Sequence, residues 1–307
     1  MGRFIIMRFL QSIVALLGIS IVVFVLARAS GDPALLMISS QATAEEIVQL
    51  RQDLGLDKSL PEQYWVFLTK LFQADFGKSL HKKRPVNEMI GERVTNSITL
   101  VGFSFTIGML CSLFLGVTAS TRRDTWIDSG VKFVAILGQA MPTFWLAIMA
   151  IFVFSVKLRL FPTSGIGSMA HYVLPVSTMA FFLLPGMTRL IRSSMLDVLD
   201  SEYIKLARIK GLPERMVIWK HALRNALIAP LTAAGMIFAN MITGAIIVET
   251  VFGWPGIGRL SYEAVIGRDF PIIQGITLLL AIVVLSVNLF VDIMYAYIDP
   301  QIRYQRS

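Results

Sequence analysis

Apolar residues in this chain do not alternate with polar ones but come in long runs. Six runs are long enough for helices crossing a hydrocarbon layer of about 30 Å, which takes roughly 20 residues. They lie near 9–29, 97–119, 131–156, 174–195, 226–249 and 272–297. The first, "FLQSIVALLGISIVVFVLARAS", follows Arg3 and Arg8 as a secretory leader would. It is longer than a leader's apolar core, and no clear small-residue cleavage site follows, so an uncleaved first span is expected. The pattern predicts an all-α integral membrane protein with six transmembrane helices.

The segment 30–96 reads differently. "TAEEIVQLRQDLGL" and "SLPEQYWVFLTKLFQADFGKSL" carry helical patterning within a polar stretch. Thr43 with Glu46 three residues on makes a capping box, and Pro61 suits a first turn after Ser59 and Leu60. Gly55 and Gly77 suit the two C-termini. A small helical insertion after the first span is predicted. Its "FGKS" at 76–79 is no phosphate loop, because Phe72 stands where that loop needs glycine and no strand precedes it.

Charge orients the spans. The chain has 307 residues, 55% hydrophobic and 16% charged, with net charge +8. Such a charge could mean nucleic acid, but in a membrane protein cytoplasmic loops account for it, and no nucleic-acid partner is expected. With the N-terminus inside, Arg3, Arg8, Arg122, Arg123, Lys132, eight cations from Arg189 to Arg224, Arg303 and Arg306 are cytoplasmic. The short outer loops keep only Lys157, Arg159, Arg259 and Arg268. A cluster at Lys82, Lys83 and Arg84 breaks the pattern, but long outer segments cross largely regardless of charge. Cys111 lies inside an apolar run, cannot form an internal disulfide and reads as a small buried hydrophobe. His81, His171 and His221 sit in separate polar segments, so neither a metal site nor a cofactor is expected.

The inner stretch "EYIKLARIKGLPERMVIWKHALRNA" (202–226) is the most informative. It reads as two short helices split by "KGLP", Gly211 ending the first and Pro213 falling in the first turn of the second. Leu206, Ile209 and Leu212, with Val217, Ile218 and Leu223, offer a limited apolar face among cations. A loop resting on anionic headgroups would explain the charge. A hairpin docked in a groove of a soluble partner explains both charge and break, since charge alone needs no fixed geometry.

Polar or aromatic groups inside spans are candidates for a translocation path: Gln139, Trp145 near a bend at Pro142, Asn240, Thr243 and Glu249. Asn288 and Asp292 share one face of the last span. Helix-to-helix hydrogen bonds, or contact with a second subunit, explain each of them equally well. "FGWPGIG" cannot continue the fifth span as regular helix and is expected to turn or re-enter outside. No nucleophile, base or ligand set converges, so the chain is not expected to be an enzyme. A secondary transporter would show repeated halves with matched broken spans, and none is seen.

The 202–226 stretch resembles the cytoplasmic loop of ABC importer membrane subunits. The general Glu-Ala-Ala pattern with a glycine after three residues survives only at Ala207 and Gly211. Tyr203, Ala207-Arg208, Gly211, His221 and Asn225 are similar in type and spacing to the oligopeptide, dipeptide and nickel branch, first (B-type) of its two membrane subunits. "GDPA" (31–34), 54–80, "MPTFWLAIMAIFVFSVKLRLFPTSG", "ETVFGWPGIGRL", "RDFPIIQG" and "IDPQIRY" resemble the same branch in the same order. The resemblance implies a type I importer permease: residues 1–29 the N-terminus and first span, 30–96 an extracytoplasmic cap, 97–297 a five-span core with a coupling loop at 196–225, and 298–307 a cytoplasmic tail. It implies a bacterial inner-membrane location with both termini inside. It implies a homologous second permease, two ABC ATPases and an external binding protein as partners. It assigns Tyr203, Ala207, Arg208, Gly211, His221 and Asn225 to ATPase docking. A peptide-like substrate is implied, with glutathione, nickel or another metal chelate as alternatives.

Overall fold

A computed structural model describes residues 2–31, 34, 43–53 and 55–298. "IDPQIRY", the tail and most of "GDPA" lie outside the described residues, and so does the Glu46 side chain of the expected capping box. The elements are α1 (Gly2–Ala29), α2 (Ala44–Asp53), α3 (Leu60–Phe72), α4 (Val86–Thr121), α5 (Trp126–Ala140), α6 (Thr143–Ala150) and α7 (Ala170–Leu199). There follow α8 (Glu202–Ile209), α9 (Glu214–Met216), α10 (Leu223–Ala226), α11 (Ile228–Val251), α12 (Ile257–Ile266) and α13 (Phe270–Ile298). Among the described residues, five helices are long and apolar enough to cross a membrane: α1, α4, α7, α11 and α13.

The third apolar run is built differently. It is two helices, α5 and α6 with its π-helical extension Ile151–Lys157, bent by 103° at the Met141–Pro142 break. Proline has no N–H to donate, and its ring pushes the preceding residue out of the helical region. Met141 accordingly sits at φ −88°, ψ 124°. The second run was expected from 97, but its helix begins at Val86, within the segment assigned to the cap.

The chain forms two compact units. One contains Ser97–Pro255 and the C-terminal part from Val287. Its hub is α7, which packs on α5, α6 and α11. Leu183, Met187, Ile191, Met195 and Leu199 recur every four residues and are all buried. Lipid tails are as apolar as these side chains, so within the bilayer close packing rather than water exclusion must hold the helices together. Glycines permit that approach. A Cβ on Gly116 of α4 would stand 2.8 Å from Ile191 Cβ and 3.0 Å from the Thr188 carbonyl oxygen of α7. One on Gly138 of α5 would stand 2.5 Å from Pro185 Cγ.

The other unit contains Gly2–Asn96 and Gly256–Ser286, joining α1 and both insertion helices to α12. Ser59 precedes α3 and its N–H donates to Glu62 Oε2 at 3.2 Å, with Pro61 in the first turn as expected. Gly55 closes α2 in the left-handed region, φ +65°. Gly77 does not close α3. Ala74 takes that role at φ +54°, with Asp75 N–H reaching back to the Lys70 carbonyl, while Gly77 sits in the next turn. Buried Asp269, which precedes α13, accepts from Ser79 Oγ (2.5 Å) and from the backbone N–H of Leu80 and His81. One carboxylate thus ties the 77–85 turn to the start of the last long helix.

Candidate functional site

Residues 201–226 form the predicted hairpin. Ser201 is extended, φ −72° and ψ 151°, and starts α8, with Glu202 in its first turn paired to Lys205 at 2.8 Å. The helix ends as glycine dictates. Gly211 adopts φ +76°, its N–H donates to the Arg208 carbonyl (2.9 Å), and the Leu212 N–H donates to the Ala207 carbonyl (3.3 Å). Together these two bonds satisfy carbonyls that a helix end otherwise orphans. Pro213 lies one position earlier than expected, immediately before α9, where its missing N–H costs nothing.

Two side-chain braces close the hairpin. Arg208 Nη2 and Nε donate to Glu214 Oε1 and Oε2 at 2.7 and 3.2 Å across the Gly-Pro turn. Asn225 Nδ2 donates to Tyr203 Oη at 2.7 Å across its open end. The hydrogen bond from Arg208 holds the Glu214 carboxyl below its usual range, and Glu214 raises the guanidinium in turn. Four of the six residues singled out by the sequence therefore shape the hairpin, and Ala207 packs on the core beneath it. His221 is half-buried in the π-helical stretch Val217–Ala222.

The expected apolar face is divided. Ile204 and Val217 are completely enclosed, with Ala222 and Leu223, in the same core cluster as Met195 and Leu199. Leu212 and Ile218 pack partly against that cluster. Leu206 and Ile209 point outward, Ile209 at 80% exposure, alongside exposed Tyr203, Met216 and Trp219. The hairpin has an inner apolar face seated on the end of α7 and an outer one without an occupant in this chain.

One cluster escaped the sequence reading. Asp128, fully buried at the start of α5, receives Arg192 Nε (2.7 Å) and Nη2 (2.8 Å) from α7, Lys132 Nζ (2.8 Å), and the Asp124 N–H (3.2 Å). The signal was present: Arg192 falls inside the run 174–195, and a cation there requires a partner.

The path candidates separate into two groups. Glu249 is fully buried and accepts a hydrogen bond from Ser97 Oγ at 2.6 Å. Gln139, Trp145, Asn240 and Thr243 are exposed on the chain's own surface. On α11, Met236, Asn240, Thr243 and Ile247 form one exposed stripe, and Thr243 Oγ1 donates to the Asn240 carbonyl at 2.9 Å. Asn288 and Asp292 lie on α13. "FGWPGIG" turns from α11 into α12. Gly253 takes φ +59°, Trp254 N–H donates to the Glu249 carbonyl at 2.8 Å, and the buried Trp254 ring stands edge-on to Tyr172 at 4.6 Å. Cys111 is exposed rather than buried, on the face of α4 that also shows Leu110 and Phe114. Such a face meets lipid or another subunit in place of a protein core.

Among the described residues, no group of His, Cys, Asp and Glu could hold a metal ion.

Residues 108–304 match the family described as binding-protein-dependent transport system inner membrane component, and residues 1–101 match its N-terminal region family. A putative peptide transport system permease protein of Brucella abortus is 39% identical over 99% of this chain and all of its own length. A glutathione transport system permease protein of Pectobacterium atrosepticum is 40% identical over the same shares. Among solved structures, a methionine ABC transporter in an inward-facing conformation superposes with TM-score 0.57 at 17% identity, over 69% of this chain and 96% of that one. An amino acid ABC transporter gives 0.56, also at 17% identity, over 69% and 94%.

Proposed function

The chain belongs to the family of binding-protein-dependent transport system inner membrane components, and from that premise we propose that it forms half of the translocation path of an ABC importer carrying a peptide-like substrate. A homologous second permease would supply the other half. The family's transport systems depend on an external binding protein, and the importer's ATP hydrolysis belongs to ATPase subunits, not to this chain.

The observation that carries the reading is the braced hairpin with its outward row of Tyr203, Leu206, Ile209, Met216 and Trp219. A partner groove that takes this row moves the hairpin as a body. Ile204 and Val217, locked against Met195 and Leu199, pass the motion to α7, and α10 and α11 follow at the other end. Allostery of this kind needs differential contacts in two states, which ATP-driven closure of two ATPases supplies. The exposed stripe Met236, Asn240, Thr243 and Ile247 suits the face toward the second permease or the path between the two.

Peptide transport follows from the names of the relatives, and glutathione, itself a peptide, fits the same chemistry. Expressed alone, the chain should show neither ATP hydrolysis nor uptake. With a second permease and both ATPases in proteoliposomes, loaded binding protein should stimulate hydrolysis; uptake by the chain alone would refute the reading. Mass spectrometry of the ligand on the co-purified binding protein names the substrate. With the N-terminus cytoplasmic, cysteines at 75 and 164 should react with an impermeant thiol reagent in a Cys111-free background, and those at 126 and 210 should not.

A further inference from the structure

The outer cations of the sequence are not equivalent. Lys82 pairs with Glu263 at 3.7 Å, and Arg84 pairs with Glu92 at 2.5 Å and Glu88 at 3.7 Å. Carboxylates therefore meet most of the cluster that broke the charge pattern. Lys70 and Lys78 have no ion-pair partner among the described residues, and both line one cavity of about 540 Å³. Arg28, at the end of α1, lines it too, with its guanidinium 5.4 Å from the Phe24 ring. Among the described residues Asp75 is the only carboxylate in the lining, and it already accepts the Gly77 N–H at 2.9 Å. The rest of the wall is largely apolar, including Phe67, Leu80 and Phe270.

The position of the cavity identifies an occupant. Ile21, Val22, Val25 and Leu26 form an exposed apolar band on α1 that stops at Arg28. Acyl chains satisfy such a band, and Arg28 then marks the depth where hydrocarbon gives way to headgroups. Beside it, α3 rests Tyr64 and Phe67 on Phe24, and it exposes Trp65 and Phe72, seven residues apart, on another face. Exposed aromatic rings at that depth are what the membrane interface favours. We propose that the cleft between α1 and α3 binds the headgroup of an anionic phospholipid of the outer leaflet, its phosphate among Arg28, Lys70 and Lys78 and its acyl chain along exposed Ile21 and Val25, which share the Arg28 side of α1. The inference rests on the membrane placement of α1 and not on the substrate or the docking role of the hairpin.

The test uses the assembled importer in nanodiscs of phosphatidylcholine with phosphatidylglycerol, followed by native mass spectrometry of the lipids retained after detergent release. Wild type should keep phosphatidylglycerol in preference to phosphatidylcholine. Each lysine near an anionic surface contributes about fivefold in affinity, so Lys70→Gln with Lys78→Gln should lower retention on the order of 25-fold. Lys82→Gln with Lys83→Gln removes the same charge outside the cleft and should leave retention unchanged. Excess inorganic phosphate should not displace the lipid, because it lacks the acyl anchor. Equal retention of both lipids, equal loss in the two double variants, or displacement by phosphate each overturns the proposal. So does a Lys70/Lys78 variant that retains lipid normally but loses binding-protein docking, which would give the surface to that protein.

Discussion

Replacing Gly211 by valine isolates what the break in the hairpin contributes. The residue sits at φ +76°, and among the described residues a Cβ built there meets no atom within 4 Å beyond its chain neighbours. The substitution therefore causes no clash inside the protein, and its cost is conformational. An L residue in the left-handed region loses about 1–2 kcal/mol, and a β-branched one stands at the upper end. That corresponds to a factor of roughly 5–30 in the population of the closed turn. Opening it would release the two backbone bonds at Gly211 and Leu212 and separate Arg208 from Glu214. The inner face, anchored by Ile204 and Val217, would stay seated, so the thermal midpoint of the membrane part should hardly change.

Asparagine supplies the control, because it tolerates the left-handed region. Gly211→Asn should retain most of the substrate-stimulated ATPase activity of the reconstituted importer, and Gly211→Val should lose most of it or lose ATPase subunits on co-purification. Lys205→Gln removes a charge whose one ion pair among the described residues is an exposed pair with Glu202, and should be mild. Normal pumping by Gly211→Val would refute the reasoning, more so if Lys205→Gln failed, since a lipid-resting loop would then be the better account. Failure of valine and asparagine alike would show that room in the partner's groove, and not backbone conformation, decides.

Asp128→Ala should destabilise the membrane core by about 3–5 kcal/mol, because it leaves Arg192 and Lys132 without their buried carboxylate. A thermal-shift assay in detergent reads this, and a loss below about 1 kcal/mol would class the network with exposed pairs. The depressed Glu214 carboxyl predicts a pH effect of defined sign. Its contribution is present above the ordinary carboxylate range and fades as pH falls through the lowered value. The pair is about half exposed, so the effect is below about 1 kcal/mol, and Glu214→Gln should flatten the acid limb of ATPase co-purification.

The sequence was legible where a residue's chemistry acts locally. Gly211 and Gly55 end their helices where expected, because a positive φ at a helix end strongly favours glycine. Pro142 breaks the third run for an equally local reason. Legibility failed where tertiary contacts decide. Ala74 accepts a left-handed conformation that Gly77, three residues on, was expected to take. The helix beginning at Val86 extends well before its apolar run, because Val86, Met89 and Ile90 find a core with Ile257, Leu260 and Ile276 that no local pattern reveals. The division of the hairpin's apolar residues likewise depends on where the end of α7 lies.

That division also explains why, Tyr203 apart, the conspicuous residues of 202–226 lie outside the outward apolar row. A docking element must keep its shape under load, or the partner's motion is spent in bending it. The outer row Tyr203, Leu206, Ile209, Met216 and Trp219 offers contact area, but such area can be built from many apolar side chains. The shape cannot. It needs a left-handed residue at 211, a guanidinium at 208 that reaches a carboxylate across the turn, and the phenol-to-amide contact between Tyr203 and Asn225 that pins the two helical arms of the hairpin together. Tyr203 does both, its ring in the exposed row and its hydroxyl accepting from Asn225. Removing only its hydroxyl, as Tyr203→Phe, should therefore weaken coupling while leaving the contact area intact, and an unchanged stimulated ATPase rate would mean that the turn alone supplies the stiffness.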